Sequence, residues 1–334
     1  MTTHLRWGVL GAARIATNKV IPGMQKSGIT TIDAIASRDV ERAQEAAARL
    51  GVPKAYGSYE ALLADPEIDA IYNPLPNHLH VPWTIRAAEA GKHVLCEKPI
   101  GLTAGDAQTL IEVRDRTAVK IQEAFMVRAH PQWLKAIEIC RSGELGQLRS
   151  YLGYFSFYND DPANVRHVPA FGGGALMDVG CYLILTSRLL FGEEPRRVLA
   201  LMTHDPVFKV DVTTSVILDY PSGQAVGTCS MRTVPYQRVQ MFGTRRRLDI
   251  EIPFNAPPDR PCRLWTDSGD LFGAGRQELL VDVCDQYQLQ GDAFSRAVLD
   301  DTDVPHPLES SLQNMRIIDA LVESAATGAW KSLS

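Results

Sequence analysis

Apolar and polar positions in the first third of the chain follow two alternating periods. Short β-branched runs are followed by stretches with apolar residues at helical spacing, as repeated strand–helix units on a parallel sheet require. The predicted strands are Leu5–Leu10, Thr31–Ala36, Ala70–Tyr72, His93–Cys96 and Val119–Ala124. The predicted helices are Ile15–Ser27, Ala43–Leu50, Tyr59–Ala64, Pro82–Ala90 and one that opens at Thr103 or Ala104 and reaches about Thr117. Residues 1–124 are therefore predicted to form an α/β domain.

The pattern changes after residue 124 to longer strand-like runs joined by turns. The predicted strands are Arg149–Tyr158, Val198–Thr203, Thr213–Tyr220 and Gln224–Met231, and the predicted helices are Pro131–Ser142, Gly174–Leu190, Asp282–Leu299 and Leu308–Thr327. A hairpin turn signal, Pro221-Ser222-Gly223, separates two of the strands and favours antiparallel pairing. Residues 125–334 are therefore predicted to form an α+β domain with an open, mostly antiparallel sheet. Packing of the C-terminal helix on the first domain is left open as an alternative.

Composition and charge narrow the class of protein. The chain has 334 residues, of which 45% are hydrophobic, and lacks the run of roughly eighteen uninterrupted apolar residues that a membrane span needs. A net charge of -5 disfavours a nucleic-acid surface, and the basic run Arg245–Arg247 is expected to be a turn between strands. An early first strand leaves no room for a cleavable leader, which predicts a cytoplasmic protein. The cysteines form no Cys-x-x-Cys pair, so we expect free thiols and no metal site.

The segment between the first strand and the first helix is a candidate phosphate-binding turn. Gly11 supplies a tight turn, and Ala13, Arg14 and Ile15 follow it at the start of the helix. In a dinucleotide-binding (Rossmann) fold, small residues here let backbone amides approach the pyrophosphate. Because alanine stands where glycine is commonest, the motif alone is also compatible with an ordinary tight turn.

The end of the second strand indicates which dinucleotide is bound. A carboxylate there would accept from the ribose 2′-hydroxyl of NAD but repel the 2′-phosphate of NADP. Ser37 and Arg38 occupy this position and suit a phosphate, since arginine offers a planar fork of donors. Asp39 follows and keeps NAD open as the alternative, and Arg38 is also compatible with a solvated surface charge.

Three residues carry the candidate chemistry. Lys98 follows a predicted strand at the edge where open α/β sheets bind ligands, and Pro99 restricts its backbone to an extended form. A lysine after a strand is, by itself, more often a surface charge. Asp178 and Tyr182 are four residues apart in a predicted helix, so both side chains face one way. The alternative for Tyr182 is a half-buried core tyrosine whose hydroxyl is tied to Asp178.

Several longer segments resemble a known family. They are Gly11–Ala16, Leu75–His80, Ala90–Pro99, Asp161–Arg166 and Gly172–Tyr182. Together they are similar to the glucose-fructose oxidoreductase and inositol dehydrogenase family, along nearly the whole chain. The tyrosine matches the branch with glucose-fructose oxidoreductase, dimeric dihydrodiol dehydrogenase and NADP-dependent xylose dehydrogenase, whereas inositol dehydrogenases have histidine there. Unlike glucose-fructose oxidoreductase, this sequence shows no N-terminal arm, so simple exchange of the cofactor with solution is expected.

The resemblance implies roles for individual residues. It places Pro76, Asn77, His80, Glu97 and Lys98 beside the cofactor. It also implies that Tyr182 moves the hydroxyl proton, with help from the Lys98 cation, and that Asp178 orients the tyrosine or binds a substrate hydroxyl. Arg128, just after the domain crossover, is a candidate to line the pocket, and a surface role is as compatible with the sequence.

The expected function is that of an NADP-dependent sugar oxidoreductase that moves a hydride between the nicotinamide and a carbinol carbon. The expected substrate is a sugar or polyol, with an aldose oxidised at C1 to a lactone as the main hypothesis. A nucleotide-sugar 3-ketoreductase and a non-catalytic nicotinamide sensor are the two alternatives. A homodimer or homotetramer is expected by resemblance alone.

Overall fold

The chain forms two compact units, and each unit has its own sheet. The computed structural model describes residues 4–333. The first unit contains the chain up to Ala129 together with Asp285–Met315, and the second contains His130–Cys284 together with the segment from Arg316 onward. The crossover falls at Ala129, five residues after the predicted boundary, and Asp285–Met315 groups with the first unit. The predicted domain division stays a prediction.

The first unit is built on a parallel sheet of six strands. These are β1 Leu5–Leu10, β2 Thr30–Ala36, β3 Lys54–Tyr56, β4 Ala70–Asn73, β5 His93–Glu97 and β6 Ile121–Ala124. Their order in the sheet is β3-β2-β1-β4-β5-β6, which is the order of a dinucleotide-binding fold. Strand β3 escaped prediction because it has only three residues, all of them half-buried, and shows no apolar alternation.

Helices of the first unit begin where a side chain can cap them. They are α1 Ile21–Met24, α2 Val40–Leu50, α3 Tyr59–Leu63, α4 His80–Glu89 and α5 Ala104–Thr117. Asp39, Ser58 and Thr103 accept hydrogen bonds from the first turns of α2, α3 and α5, which satisfies amides that have no partner within the helix. A π-helical turn, Ala16–Val20, runs directly into α1.

Helix α8, Gln286–Leu299, completes the core of the first unit. The Trp7 indole donates to the Ser295 hydroxyl at 3.1 Å, and its ring lies 5.3 Å from that of Phe294. All three side chains are fully buried. The helix starts later than the predicted Asp282 because Asp285 caps it by accepting from the Tyr287 amide.

The second unit is built on a nine-stranded sheet. Its strands are β7 Leu148–Tyr158, β8 Arg197–His204, β9 Asp211–Asp219, β10 Gln224–Ser230, β11 Arg232–Gly243, β12 Arg247–Ile250, β13 Cys262–Asp267, β14 Gln277–Val281 and β15 Lys331–Ser332. The order is β14-β13-β12-β11-β7-β10-β9-β8-β15. All pairs are antiparallel except β7 with β10, so the predicted sheet type and the hairpin between β9 and β10 are confirmed.

Helices cover one face of this sheet. They are α6 Pro131–Arg141 and α7 Cys181–Phe191, while α9 Leu308–Thr327 crosses from the first unit to the second after Met315. A π-helical turn, Leu176–Gly180, leads into α7. The helical stretch Pro169–Phe191 is long and apolar enough to span a membrane, but 78% of its most apolar window is buried inside the protein, which is typical of a core helix.

Candidate active site

The turn after β1 has the shape that a dinucleotide phosphate requires. Gly11 adopts a φ of +87°, which disfavours any side chain, and its amide donates to the Ala36 carbonyl at 2.7 Å. A Cβ at this position would lie 3.1 Å from a Leu75 methyl group. The helical turn that follows Ala13 begins with amides that have no partner within a helix, which favours an anion there. The turn therefore fits the pyrophosphate of a dinucleotide.

A hydroxyl, a cation and a carboxylate follow the end of β2, and the carboxylate caps the next helix. Ser37 is buried, and its hydroxyl accepts from the Asp39 amide at 3.2 Å. The Asp39 carboxylate accepts from the Arg42 amide at 3.2 Å and so caps α2. Arg38 lies exposed beside the Tyr59 phenol, whose pKa is raised by burial and held down in part by that guanidinium. These residues fit the 2′-phosphate of NADP.

Arg42 is a further cation at this end of the unit that the sequence analysis did not single out. Its guanidinium donates to the Ala12 carbonyl at 3.4 Å, so it lies over the phosphate-binding turn. Its position four residues after Arg38, on the first turn of α2, was the available signal.

Lys98 lies just beyond the carboxyl end of β5, in a segment held by neighbouring side chains. Its amide donates to the Glu97 carboxylate at 3.3 Å, and the same carboxylate accepts from the Tyr72 hydroxyl at 2.7 Å. The Ile100 amide donates to the buried Glu123 carboxylate at 2.8 Å. The backbone around Lys98 is thus fixed from strands β4 and β6 as well as from β5. Both Glu97 carboxylate oxygens accept hydrogen bonds at the strand end, and the contact of Glu97 with the cofactor stays a prediction.

His80 lies between two backbone segments, and its place beside the nicotinamide stays a prediction. Its imidazole is 1% exposed and lies 2.7 Å from the carbonyls of both Leu75 and Pro99. Burial lowers the pKa of His80 to about 4, so the ring is neutral near pH 7. A neutral ring has one N–H, which donates to one of these two carbonyls, so the side chain packs between the Leu75 and Lys98 segments. Pro76 and Asn77 are half-exposed beside it.

In the second unit, Asp178 is paired with a residue that the sequence analysis gave no role. The Arg166 Nε donates to the Asp178 carboxylate at 2.6 Å. Tyr182 is 4% exposed, and its ring packs 5.7 Å from Phe155 and 5.4 Å from Phe254. Asp178 lies in the π-helical turn and Tyr182 in α7. The only signal for Arg166 was its place in the Asp161–Arg166 loop.

Arg128 lies in the first unit, in a short 3₁₀ turn before the crossover. It is half-buried, and its guanidinium donates to the Ser310 hydroxyl at 2.9 Å. Burial, helped by the nearby Arg128 charge, lowers the pKa of His306 to about 3. Within residues 4–333, no group of His, Cys, Asp and Glu side chains has the arrangement of a metal site, and the six cysteines are free.

Comparison with known proteins identifies the family. Residues 5–125 match the "Oxidoreductase family, NAD-binding Rossmann fold", and residues 133–249 match the "GFO/IDH/MocA C-terminal domain". The chain belongs to this family, as the resemblance predicted, and is an NAD(P)-dependent oxidoreductase.

Individual relatives are oxidoreductases that act on sugars. The chain is 42% identical over 330 residues to D-xylose 1-dehydrogenase (NADP(+)) 2 of Haloferax volcanii, covering 97% of this chain and 98% of that protein. The structure of KijD10, a 3-ketoreductase from Actinomadura kijaniata in complex with NADP and TDP-benzene, matches with a TM-score of 0.89 at 30% identity, over 96% of this chain and 98% of the other. Aldose-aldose oxidoreductase from Caulobacter crescentus, complexed with glycerol, gives 0.89 at 26% identity, over 99% and 100% of the two chains.

Proposed function

We propose that the chain is an NADP-dependent dehydrogenase that oxidises a free aldose at C1 to a lactone. The observation that carries this proposal is the fixed backbone around Lys98, where side chains from β4, β5 and β6 hold the segment at the ligand-binding edge of the sheet. The 42% identical relative is a D-xylose 1-dehydrogenase, which supports an aldose as the substrate class.

The preference for NADP rests on where the charges lie at the end of β2. Asp39 uses one carboxylate oxygen to cap α2, and we infer that Ser37 and Arg38 face the 2′ substituent. A hydroxyl and a guanidinium stabilise a phosphate through charge-assisted hydrogen bonds. The D-xylose dehydrogenase is an NADP(+) enzyme, and the structure of KijD10 contains NADP.

In the proposed mechanism the chain supplies proton transfer and orientation. When bound, the nicotinamide supplies the acceptor for the hydride that leaves the sugar carbon. Tyr182 takes the hydroxyl proton as that carbon is oxidised, and returns it in the reverse direction. The Lys98 ammonium donates a hydrogen bond to the reacting oxygen and stabilises the negative charge that develops on it. Asp178 holds a sugar hydroxyl or the Tyr182 side chain in place.

A nucleotide-sugar 3-ketoreductase is the second candidate, favoured by the similarity to KijD10. A diphosphate substrate needs cations that are available to it. In the turn Val165–His167, the cation near the Tyr182 helix, Arg166, is already paired with Asp178 at 2.6 Å. This pairing favours the neutral aldose over the diphosphate.

We also propose a homodimer or homotetramer that forms through the outer face of the second sheet. Large apolar side chains are exposed on this face, namely Leu152, Leu201, Val226 and Tyr236. A patch of this kind is typical of an interface between subunits. The cytoplasmic location expected from the sequence stays a prediction.

A substrate panel tests the proposal. The change in NADPH fluorescence is followed with NADP and free aldoses or polyols in one arm, and with NADPH and a keto nucleotide-sugar in the other. We expect formation of NADPH with at least one aldose. Consumption of NADPH by the nucleotide-sugar, with no response to any free sugar, would establish the second candidate instead.

A further inference from the structure

Arg166 makes contacts that fix both its side chain and its backbone. It lies in a 3₁₀ turn, Val165–His167, that Asn164 caps by accepting from the Arg166 amide at 3.1 Å. Its Nε donates to the Asp178 carboxylate at 2.6 Å. The guanidinium is 5.7 Å from the centre of the Phe157 ring. The direction of the side chain is therefore set before any ligand binds.

A glycine run locks the same turn against the start of the helix. The Gly174 amide donates to the Arg166 carbonyl at 3.0 Å. A Cβ on Gly173 would lie 2.4 Å from that carbonyl oxygen, which real side chains do not tolerate. Asp211 of β9 holds the other side by accepting from the Leu176 amide at 2.8 Å. Arg166, Asp178 and Tyr182 thus belong to one rigid arrangement within the second unit.

The Asp178 carboxylate is poorly solvated, with 13% of its side chain exposed. A carboxylate in such a place opposes the formation of a second negative charge on a nearby phenol. The Arg166 cation offsets that effect. The Asp178 charge, followed by the Tyr182 phenol, raises the pKa of Arg166, which agrees with both groups lying close to the guanidinium.

Other titratable groups on the elements packed against this helix are hydrogen-bonded or have pKa values raised by burial. Burial raises the pKa of Asp211, which also accepts from the Thr214 hydroxyl at 2.6 Å. On β10, burial raises the pKa of Cys229 well above its usual range. On β7, Tyr151 is bonded to Thr186 at 2.8 Å, and burial raises its pKa as well. Among these groups Arg166 and Asp178 are the ones that set the charge beside Tyr182.

We propose that Arg166 is a positioning residue for the reaction, because it holds and neutralises the Asp178 carboxylate and so allows Tyr182 to release its proton. This inference rests on the proposed role of Tyr182 as the proton acceptor. It adds a residue with a defined electrostatic task, and it places Arg166 of the Asp161–Arg166 loop among the residues that act on Tyr182.

The test is the pH profile of kcat/KM for aldose oxidation in Arg166→Gln, Asp178→Asn and the double variant. Arg166→Gln should move the ascending limb of the profile to higher pH by about one unit. Asp178→Asn should move it to lower pH, since the cation then acts on the phenol alone. In the double variant the limb should return close to its wild-type position, which damage to the structure would not produce.

A second readout needs no turnover. The ultraviolet absorbance of tyrosinate is titrated in Arg166→Gln and in Arg166→Gln combined with Tyr182→Phe, and the difference between them reports Tyr182 alone. The expected result is a titration displaced upward relative to the same difference measured in the wild-type background. If Arg166→Gln does not fold, Arg166→Lys should keep the ascending limb of the pH profile at its wild-type position. The shift of that limb to lower pH in Asp178→Asn then tests the role of Arg166.

A matched control comes from the first unit. Arg6 pairs with Asp69 at 2.7 Å with similar partial exposure, at the amino-terminal edge of the parallel sheet. Arg6→Gln should leave the limb where it is. An unmoved limb in both Arg166→Gln and Asp178→Asn, with Tyr182→Phe inactive, would overturn the role of Arg166 and leave the proposed function standing. Full turnover by Tyr182→Phe would instead contradict the proposed function.

Discussion

Lys98 in the first unit and Tyr182 in the second are held in place by different means. Lys98 directly follows a strand, and the carboxylate that bonds its amide is the preceding residue. The Tyr182 helix depends on Arg166, twelve residues before Asp178, and on Asp211, which bonds the Leu176 amide 35 residues away. A site at a strand edge is therefore visible in local sequence, whereas a site on a helix is completed by loops that only the folded chain brings near.

The largest expected effect belongs to the second unit. Tyr182→Phe should cut turnover by roughly two to four orders of magnitude, the usual range for losing a general acid or base. NADPH binding, followed by fluorescence, should stay near wild type because the cofactor residues lie in the first unit. Tyr158→Phe is the matched control, since that hydroxyl bonds Asp160 on an exposed strand end. An unaffected rate in Tyr182→Phe would contradict the role of Tyr182 in proton transfer.

Each unit contains a buried histidine that should make the free energy of unfolding depend on pH. Burial lowers the pKa of His80 in the first unit and of His130 in the second to about 4. The unfolded chain binds a proton on each below about pH 6.5, while the folded protein does not. Their stabilising contribution is therefore present above about pH 6.5 and is lost as the pH falls toward 4.

His80→Gln and His130→Gln test separately whether each histidine lowers the stability as the pH falls. Each variant should remove roughly 2 to 3 kcal/mol of the fall in the free energy of unfolding between about pH 7 and pH 4.5. Urea denaturation at the two pH values measures this fall, and hydrogen exchange assigns it to one unit or the other. A pH dependence equal to that of the wild type would mean that the folded protein protonates these rings as readily as the unfolded chain does.

Arg38→Ala should lower the affinity of the first unit for NADPH. We expect NADPH to bind about 10 to 100 times more weakly, because a charge-assisted hydrogen bond contributes roughly 1.5 to 3 kcal/mol. NADH should bind as in the wild type, since it has no 2′-phosphate. Fluorescence titration measures both, with Arg49→Ala on the exposed face of α2 as the control. Equal weakening of the two cofactors would contradict the phosphate assignment.

The smallest effect concerns Asp39. Asp39→Ala should lower the free energy of unfolding by about 1 kcal/mol, the usual cost of losing a helix cap. Its effect on NADH affinity should be negligible, because the carboxylate is engaged by the Arg42 amide. Thermal denaturation and fluorescence titration measure the two quantities. A clear loss of NADH affinity would revive the NAD alternative left open by the sequence.

Hydrophobic periodicity was sufficient for most of the first unit and for strands β7 to β10 of the second. Strand β1 and helix α9 have the predicted bounds, and the hairpin between β9 and β10 is where Pro221–Gly223 indicated. Strand β3 and the five strands from β11 to β15 escaped prediction. In β11 only Val239 and Met241 are buried, so its apolar alternation is confined to one end.

Residue roles were predictable only where the local sequence fixes the geometry. The turn at Gly11 requires a positive φ, and the strand end at Lys98 follows from alternation, so both were visible in the sequence. The surroundings of His80 could not be predicted because a histidine within a motif has the same letter whether it faces a ligand or two backbone carbonyls. Arg166 was missed because an arginine in a polar loop has no period to mark it.

The amino-acid sequence by itself determined the strand–helix repeat, the antiparallel second sheet and the position of Lys98 at a sheet edge, since each depends on spacings of a few residues. Tertiary structure decided that α8 joins the first unit, that Asp39 caps a helix and that Arg166 pairs with Asp178. Those outcomes depend on contacts between distant segments, whose free energies no local pattern records.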